Sequence, residues 1–267
     1  MTERFDDLKL DDNLLRGIYS YGFENPSPIQ GNAIPIMNEK KDLIAQAQSG
    51  TGKTGAFSIG ILNNIDPSIQ KTQALVINPT HELANQNMNV IKDLSSYMKI
   101  NVLSVVGGTN VRKCQDDLRK LPHVIVGTPG RILDMIQKQF LYTKDLKLLI
   151  FDEADEILSY GFKENIYNII QYIPKDTQIC IYSATMPPEV LDLTDKFMNQ
   201  PERILVQKEN LTLDGIIQFY INVKVNEWKF ETLIDIYDTI NVSQCIIYIN
   251  SKNKLMEIND RLKEKGF

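Results

Sequence analysis

The segment Ala47-Gln48-Ser49-Gly50-Thr51-Gly52-Lys53-Thr54 carries the residue types needed to hold a phosphate. Gly50 and Gly52 let the backbone curl until successive N–H groups face one anion, and a following helix N-terminus adds partial positive charge. Lys53 is spaced to reach the terminal phosphates of a nucleotide, and the Thr54 hydroxyl to hold Mg²⁺. Ala47 stands where the strict pattern has glycine. A second constellation, Leu148-Leu149-Ile150-Phe151-Asp152-Glu153-Ala154-Asp155, delivers carboxylates from the end of an apolar run. Asp152 suits a cation held through water, and Glu153 a base that orients an attacking water. Each has a plainer reading: a glycine-rich turn without a ligand, and an acidic helix start favoured by the helix dipole. Their order along the chain, with a strand before and a helix after the lysine, points to a nucleoside triphosphate.

Such side chains need strands to deliver them. Strand-like runs occupy Asp42–Gln46, Ala74–Asn78, Val102–Val106, Val124–Gly127, Leu148–Asp152 and Gln178–Ser183. Helical patterns such as Glu82–Lys99 and Lys163–Ile173 lie between them. Apolar strands alternating with helices predict an α/β fold, a parallel sheet covered by helices on both faces. In such sheets ligands bind at the carboxyl ends of the strands. Gln200–Gly215, with Pro201 and a charged stretch at Gln207–Asn210, reads as a joint. After it the alternation resumes: strands at Gln218–Val223 and Gln244–Asn250, helices at Lys229–Ile240 and Lys252–Lys265. The expected organisation is a first domain over 1–210, a linker over 211–217 and the start of a second domain over 218–267. Two strands are too few for an independent parallel sheet, so the second domain reads as a fragment.

Hydrophobic residues make up 43% and charged residues 24% of the 267, which suits a packed core and argues against disorder. No apolar run approaches the ~20 residues of a membrane span. Cys114, Cys180 and Cys245 are odd in number and far apart, so no disulfide framework is expected and the three read as reduced packing residues. Two histidines give no metal-ligand spacing. The net charge of −5 argues against coating nucleic acid by bulk electrostatics. Any nucleic-acid contact must then come from a few placed amides, hydroxyls and arginines.

Asp152-Glu153-Ala154-Asp155 spells the box of the DEAD-box RNA helicases, and the chain resembles that family over essentially its whole length. The resemblance implies RecA-like P-loop NTPase domains with ATP and Mg²⁺ as cofactors. Gly22-Phe23-Glu24-Asn25-Pro26-Ser27-Pro28-Ile29-Gln30 is similar to the family's adenine-sensing motif within the region 1–30. It implies that Phe23 stacks on the base, that Pro26 lines the pocket and that Gln30 bonds the base edge. Phe5 matches an upstream aromatic, where plain packing is an equal reading. Ser183-Ala184-Thr185 looks like the motif whose hydroxyls bond Asp155 and couple phosphate status to RNA grip.

Pro79-Thr80-His81-Glu82-Leu83-Ala84, Gly107-Gly108 and Thr128-Pro129-Gly130-Arg131 match the family's RNA-facing segments, as does Asn250-Ser251-Lys252 in the second part. They imply sequence-independent phosphate and sugar contacts by Pro79, Thr80, Gly108, Thr128, Gly130, Arg131, Asn250 and Ser251. Helix capping by Thr80 or Thr128 is the plainer alternative. His81 replaces the usual arginine and lacks its bidentate fork, and Lys252 does likewise, so weaker RNA binding is expected.

Leu10–Tyr21, Gly161–Ile170, Phe197–Thr212 and Gln218–Val223 are most similar to the branch of translation initiation factor 4A and its exon-junction and nucleolar relatives. The expected activity is RNA-stimulated ATP hydrolysis coupled to local strand separation of RNA, in translation initiation. Partners would be single-stranded or locally duplex RNA and proteins of the initiation or exon-junction type, the chain being a monomer, cytoplasmic or nuclear. An ATP-gated RNA clamp uses the same residues. A P-loop ATPase acting on DNA or protein would have to dismiss the other motifs. The chain contains no His-Arg-Ile-Gly-Arg or Ala-Arg-Gly segment of the kind that supplies arginine fingers, so poor turnover is expected.

Overall fold

The computed structural model describes residues 4–48, 50–159, 161–204, 217–240 and 243–267. The chain divides into two compact units, Met1–Leu213 and Asp214–Phe267. Ser49 and residues 205–216, which include most of the expected linker, lie outside the described residues.

In the first unit a 3-10 turn, Phe5–Leu8, leads to α1 (Asp12–Ser20) and α2 (Pro28–Asn38). Strand and helix then alternate: β1 (Leu43–Gln46), α3 (Lys53–Asn64), β2 (Ala74–Ile77), α4 (His81–Leu94), β3 (Val102–Val105), α5 (Val111–Leu118), β4 (Val124–Gly127) and α6 (Pro129–Gln137). The series continues with β5 (Leu148–Asp152), α7 (Ala154–Ser159), α8 (Lys163–Gln171), β6 (Gln178–Ser183), α9 (Pro188–Phe197) and β7 (Glu202–Ile204). All seven strands pair in parallel, in the order β3-β4-β2-β5-β6-β1-β7. The expected α/β architecture is borne out.

Side chains alternate across the pleat and build two cores. Ala74, Val76, Leu148, Ile150, Cys180 and Tyr182 pack with apolar residues of α1–α4. Leu75, Ile77, Leu149, Phe151, Ile179 and Ile181 pack with those of α5–α9. Strands buried on both faces must read as unbroken apolar runs, which is why they were recognisable. Asp42, expected in β1, instead lies below it and accepts backbone N–H bonds from Ile179 at 2.8 Å and Asn199 at 2.7 Å. β7 falls within the segment read as a joint, where no strand was expected. It is a three-residue edge strand on β1 whose Glu202 and Arg203 are exposed, and charge on an edge blunts further pairing.

The second unit holds a 3-10 turn at Asn226–Trp228, α10 (Lys229–Thr239) and α11 (Lys252–Glu264). The strands expected at Gln218–Val223 and Gln244–Asn250 are not strands. A strand is stable only with hydrogen-bonded neighbours, and these segments have none among the described residues. Phe219, Tyr220, Ile246 and Tyr248 are exposed in consequence. Within this unit Arg261 caps the Phe230 ring at 3.7 Å and approaches Glu231 at 3.4 Å. Cys114 and Cys180 are buried as expected, whereas Cys245 is exposed. Among the described residues no helix is long and apolar enough to cross a membrane.

Candidate nucleotide site and strand-facing edge

Strand order decides which loops meet. β5, β6 and β1 are adjacent, in a register that opposes Gln46 to Ser183 and Asp152 to Tyr182. Three segments far apart in sequence therefore end side by side: 47–54, 152–155 and 183–185. The Ala47 N–H donates to the Ser183 carbonyl at 3.1 Å, and Gln46 Nε2 donates to the Ala184 carbonyl at 3.1 Å.

The loop between β1 and α3 needs two left-handed residues, Gly50 (φ 81°) and Gly52 (φ 100°), which glycine adopts without Cβ strain. The Thr51 hydroxyl donates to the Gln48 carbonyl at 2.7 Å, tightening the turn. Lys53 opens α3 and is 5% exposed. Its Nζ lies 2.9 and 3.0 Å from the two oxygens of Glu153. A buried ammonium is tolerable only when paired, and the Glu153 carboxylate supplies that partner. Glu153 holds φ at 52°, a costly conformation for a residue with a side chain, of the kind that clusters at functional sites. Thr54, the next residue of α3, is half-buried.

Asp152 is 3% exposed at the end of β5. Burial pushes its carboxyl group up to about 6, against a hydrogen bond from Asn87 that pulls it down. Asp155 is the opposite case. Burial alone would raise it, but hydrogen bonds from Thr185 and Ser183 prevail and hold it below the usual carboxylate range. The Thr185 hydroxyl donates to Asp155 Oδ2 at 2.6 Å and its N–H at 3.1 Å. The Asp155 N–H donates to Ser183 Oγ at 3.2 Å.

Gln30 and Phe23 reach this loop from α2 and the turn before it. Gln30 accepts the Ser27 N–H at 2.9 Å and donates to the Gly52 carbonyl at 3.2 Å. A Cβ on Gly55 would stand 2.5 Å from Gln30 Nε2 and 3.0 Å from Phe23, so both side chains lie against the first turn of α3. Phe5 stacks on Phe23 at 6.3 Å, and Tyr21 meets its edge at 4.9 Å. Pro26 is half-buried.

Donor chemistry at this site suits Mg²⁺. Among the described residues no group of three His, Cys, Asp or Glu could hold a metal by itself. Mg²⁺ is ordinarily held by one or two carboxylates with waters and substrate phosphates, and Asp152 with the Thr54 hydroxyl supplies such hard oxygens beside the phosphate loop.

The other half of the sheet, β3-β4-β2, ends in the remaining candidates. Thr80 caps α4, its hydroxyl accepting the Leu83 N–H at 3.3 Å, next to buried Pro79. His81 is exposed, and its ring lies within 3.2 Å of where a Gly107 Cβ would stand and 3.7 Å from that of Gly108 (φ 69°). Thr128 precedes α6 without a side-chain capping bond. Gly130 is exposed, with open space around a would-be Cβ. Arg131 is held by Thr109, donating to its hydroxyl at 3.2 Å and its carbonyl at 3.3 Å. In the second unit Ser251 caps α11, accepting the Lys254 N–H at 3.5 Å, and Asn250 is exposed. Sequence reasoning missed Thr109, Asn78 and Asn87, because lone polar residues beside a motif carry no pattern of their own.

A glycine-curled loop between strand and buried-lysine helix, beside an acidic strand end of one parallel sheet, defines the P-loop class of phosphate-handling proteins. The family model "DEAD/DEAH box helicase" matches residues 27–193, and the chain belongs to that family. It is 51% identical to eukaryotic initiation factor 4A of Caenorhabditis elegans, over 100% of this chain and 66% of the relative. It is 50% identical to the ATP-dependent RNA helicase FAL1 of Coccidioides immitis, over 98% of this chain and 66% of the relative. The chain thus spans about two thirds of the length of these relatives. Among solved structures it resembles Saccharomyces cerevisiae Dbp5 bound to RNA and ADP BeF3, at 32% identity and TM-score 0.87, covering 99% of this chain and 67% of that one.

Proposed function

We propose that this chain binds Mg²⁺–ATP through the loop 47–54 and grips single-stranded RNA through the ends of β2, β3 and β4. The whole protein is then an ATP-dependent RNA helicase of the initiation factor 4A branch, acting with protein partners in translation initiation in the cytoplasm. The observation that carries this reading is the Lys53–Glu153 pair at 2.9 Å, which brings the phosphate-loop cation and the carboxylate of the Asp-Glu-Ala-Asp box to one point.

Lys53 would hold the β- and γ-phosphates of a bound nucleotide, and Glu153 would orient the attacking water. Bound Mg²⁺ would neutralise charge on the phosphate oxygens, with Asp152 and Thr54 holding it. Phe23 and Gln30, which lie against the first turn of α3, would contact the base. Asp155, bonded to Thr185, ties the nucleotide side of β5 to the loop after β6. Pro79, Thr80, Gly108, Thr128, Gly130 and Arg131 offer hydroxyls, amides and one guanidinium to a backbone without reading bases. Residues 218–267, with Asn250 and Ser251, would belong to a second RecA-like domain.

Fluorescent ATP-analogue binding and ATP hydrolysis, each with and without single-stranded RNA, test the reading. Mg²⁺-dependent binding lost in Lys53→Ala, with slow hydrolysis barely moved by RNA, is the expected result. The slow rate follows because an arginine finger is worth ~10³-fold or more and the 267 residues lack those segments. Robust RNA-stimulated turnover, abolished by Glu153→Gln, would show that these residues suffice for catalysis and sink that part of the account. Absence of any nucleotide binding would sink the whole.

A further inference from the structure

Two buried asparagines converge on one carboxylate oxygen. Asn78 Nδ2 donates to Asp152 Oδ2 at 3.1 Å and Asn87 Nδ2 donates to the same atom at 2.6 Å. Both asparagines are essentially inaccessible, at 0% and 1%. An ionised carboxylate only accepts, so each amide must turn its nitrogen to Asp152. That choice leaves Asn78 Oδ1 buried with no protein hydrogen-bond partner among the described residues. Asn87 sits inside α4, where asparagine is also a poorer helix former than an aliphatic residue. Packing alone explains neither residue, since an apolar side chain would fill either place at lower cost.

Topology shows what the pair joins. Asn78 directly follows β2 and precedes Pro79 and Thr80; Asn87 lies about two turns into α4, on the helix that Thr80 caps. Asp152 ends β5, the strand paired with β2, where Ile77 opposes Phe151. The two bonds therefore cross the seam between the strand ends that carry the nucleotide candidates and those that carry the strand-facing ones.

We propose that Asn78 and Asn87 are positioning residues that orient the Asp152 carboxylate toward the Mg²⁺ of the bound nucleotide. The inference rests on the nucleotide site described under Proposed function. Both amides donate to Oδ2, which restrains the carboxylate from rotating. Partners that fix a metal-binding carboxylate are commonly worth roughly 10–100-fold in metal affinity.

The test is the affinity of the 267-residue chain for a fluorescent ADP analogue, measured with saturating Mg²⁺ and with EDTA. Asn87→Leu should lose roughly tenfold or more of the Mg²⁺-dependent part of the affinity, while binding in EDTA stays near wild type. Asn87→Gln, which keeps an amide, should recover part of the Mg²⁺ response. Asn78→Ser, a smaller change, carries the same expectation should Asn87→Leu fail to fold. An unchanged Mg²⁺ response in both variants overturns the inference. Equal loss of affinity with and without Mg²⁺ also overturns it, because a purely structural role would act on both. The underlying site is tested separately by Lys53→Ala and the wild type. A wild type that binds no nucleotide removes the reading and the inference together, whereas a responsive wild type with equally responsive asparagine variants removes the inference alone.

Discussion

Residues 148–152 and 245–249 are the same kind of sequence, short apolar runs that include an aromatic, yet they meet opposite fates. Leu148 and Phe151 are 1% and 2% exposed in the centre of a seven-stranded sheet, whereas Ile246 and Tyr248 are 77% and 89% exposed in a segment that is no strand. Local composition is nearly equal, so the difference lies in neighbours. β5 has β2 and β6 to satisfy its backbone and helices on both faces to take its side chains. Burial, rather than the run itself, makes the strand.

The contrast is broken most directly by truncating one aromatic from each run. Phe151→Ala should destabilise the first unit by about 3–5 kcal/mol, as buried Phe truncations do, read by urea unfolding. Tyr248→Ala should stay within about 0.5 kcal/mol. Equal losses would mean that residues 245–249 are buried in solution.

A pH series sharpens the same contrast electrostatically. The buried Asp152 carboxyl is raised to about 6. The folded state therefore holds its proton between about pH 4 and 6 while the unfolded state has released it. Stability from this group accordingly falls as pH rises through that window, and the penalty is complete above about 6. The loss is on the order of 3 kcal/mol, from a shift of about two units at ~1.4 kcal/mol each. Between pH 4 and pH 7 the melting temperature of the wild type should fall relative to that of Asp152→Asn, which has no carboxyl to titrate there. Parallel curves would place the titration elsewhere.

Smaller effects come from exposed groups. Thr185→Val removes one hydroxyl donor from Asp155 and should cost about 1 kcal/mol in thermal unfolding. Its Asp155 should also titrate nearer the ordinary carboxylate range, which carboxyl-carbon NMR would show. In the second unit Arg261→Ala removes the stack on Phe230, worth about 0.5–1 kcal/mol at an exposed site. Loss of helical circular dichroism confined to that unit would register it. No change would mean that α10 and α11 persist without that contact.

Much of the site was legible because its geometry is local. The glycines at 50 and 52, Lys53 and the Asp-Glu-Ala-Asp box each lie within a few residues of a strand end. β7 escaped notice because three residues with charged Glu202 and Arg203 carry no apolar period. Thr80 reads as a cap and is one, while Thr128 reads the same and makes no such bond. Asn78 and Asn87 were invisible because their partner, Asp152, lies 74 and 65 residues away. The segments at 218–223 and 244–250 were over-read, since a period of two states a preference and supplies no partner strand.

Short-range physics is therefore what the residue order settles here: where strands run, where the backbone must curl for an anion, and which face of each helix is apolar. The order β3-β4-β2-β5-β6-β1-β7 belongs to the tertiary structure. It sets Asp152 beside Asn78 and Ala47 beside Ser183, and buries Lys53 against Glu153. Pairing between distant strands is chosen by the packing of whole faces, and no local pattern records it.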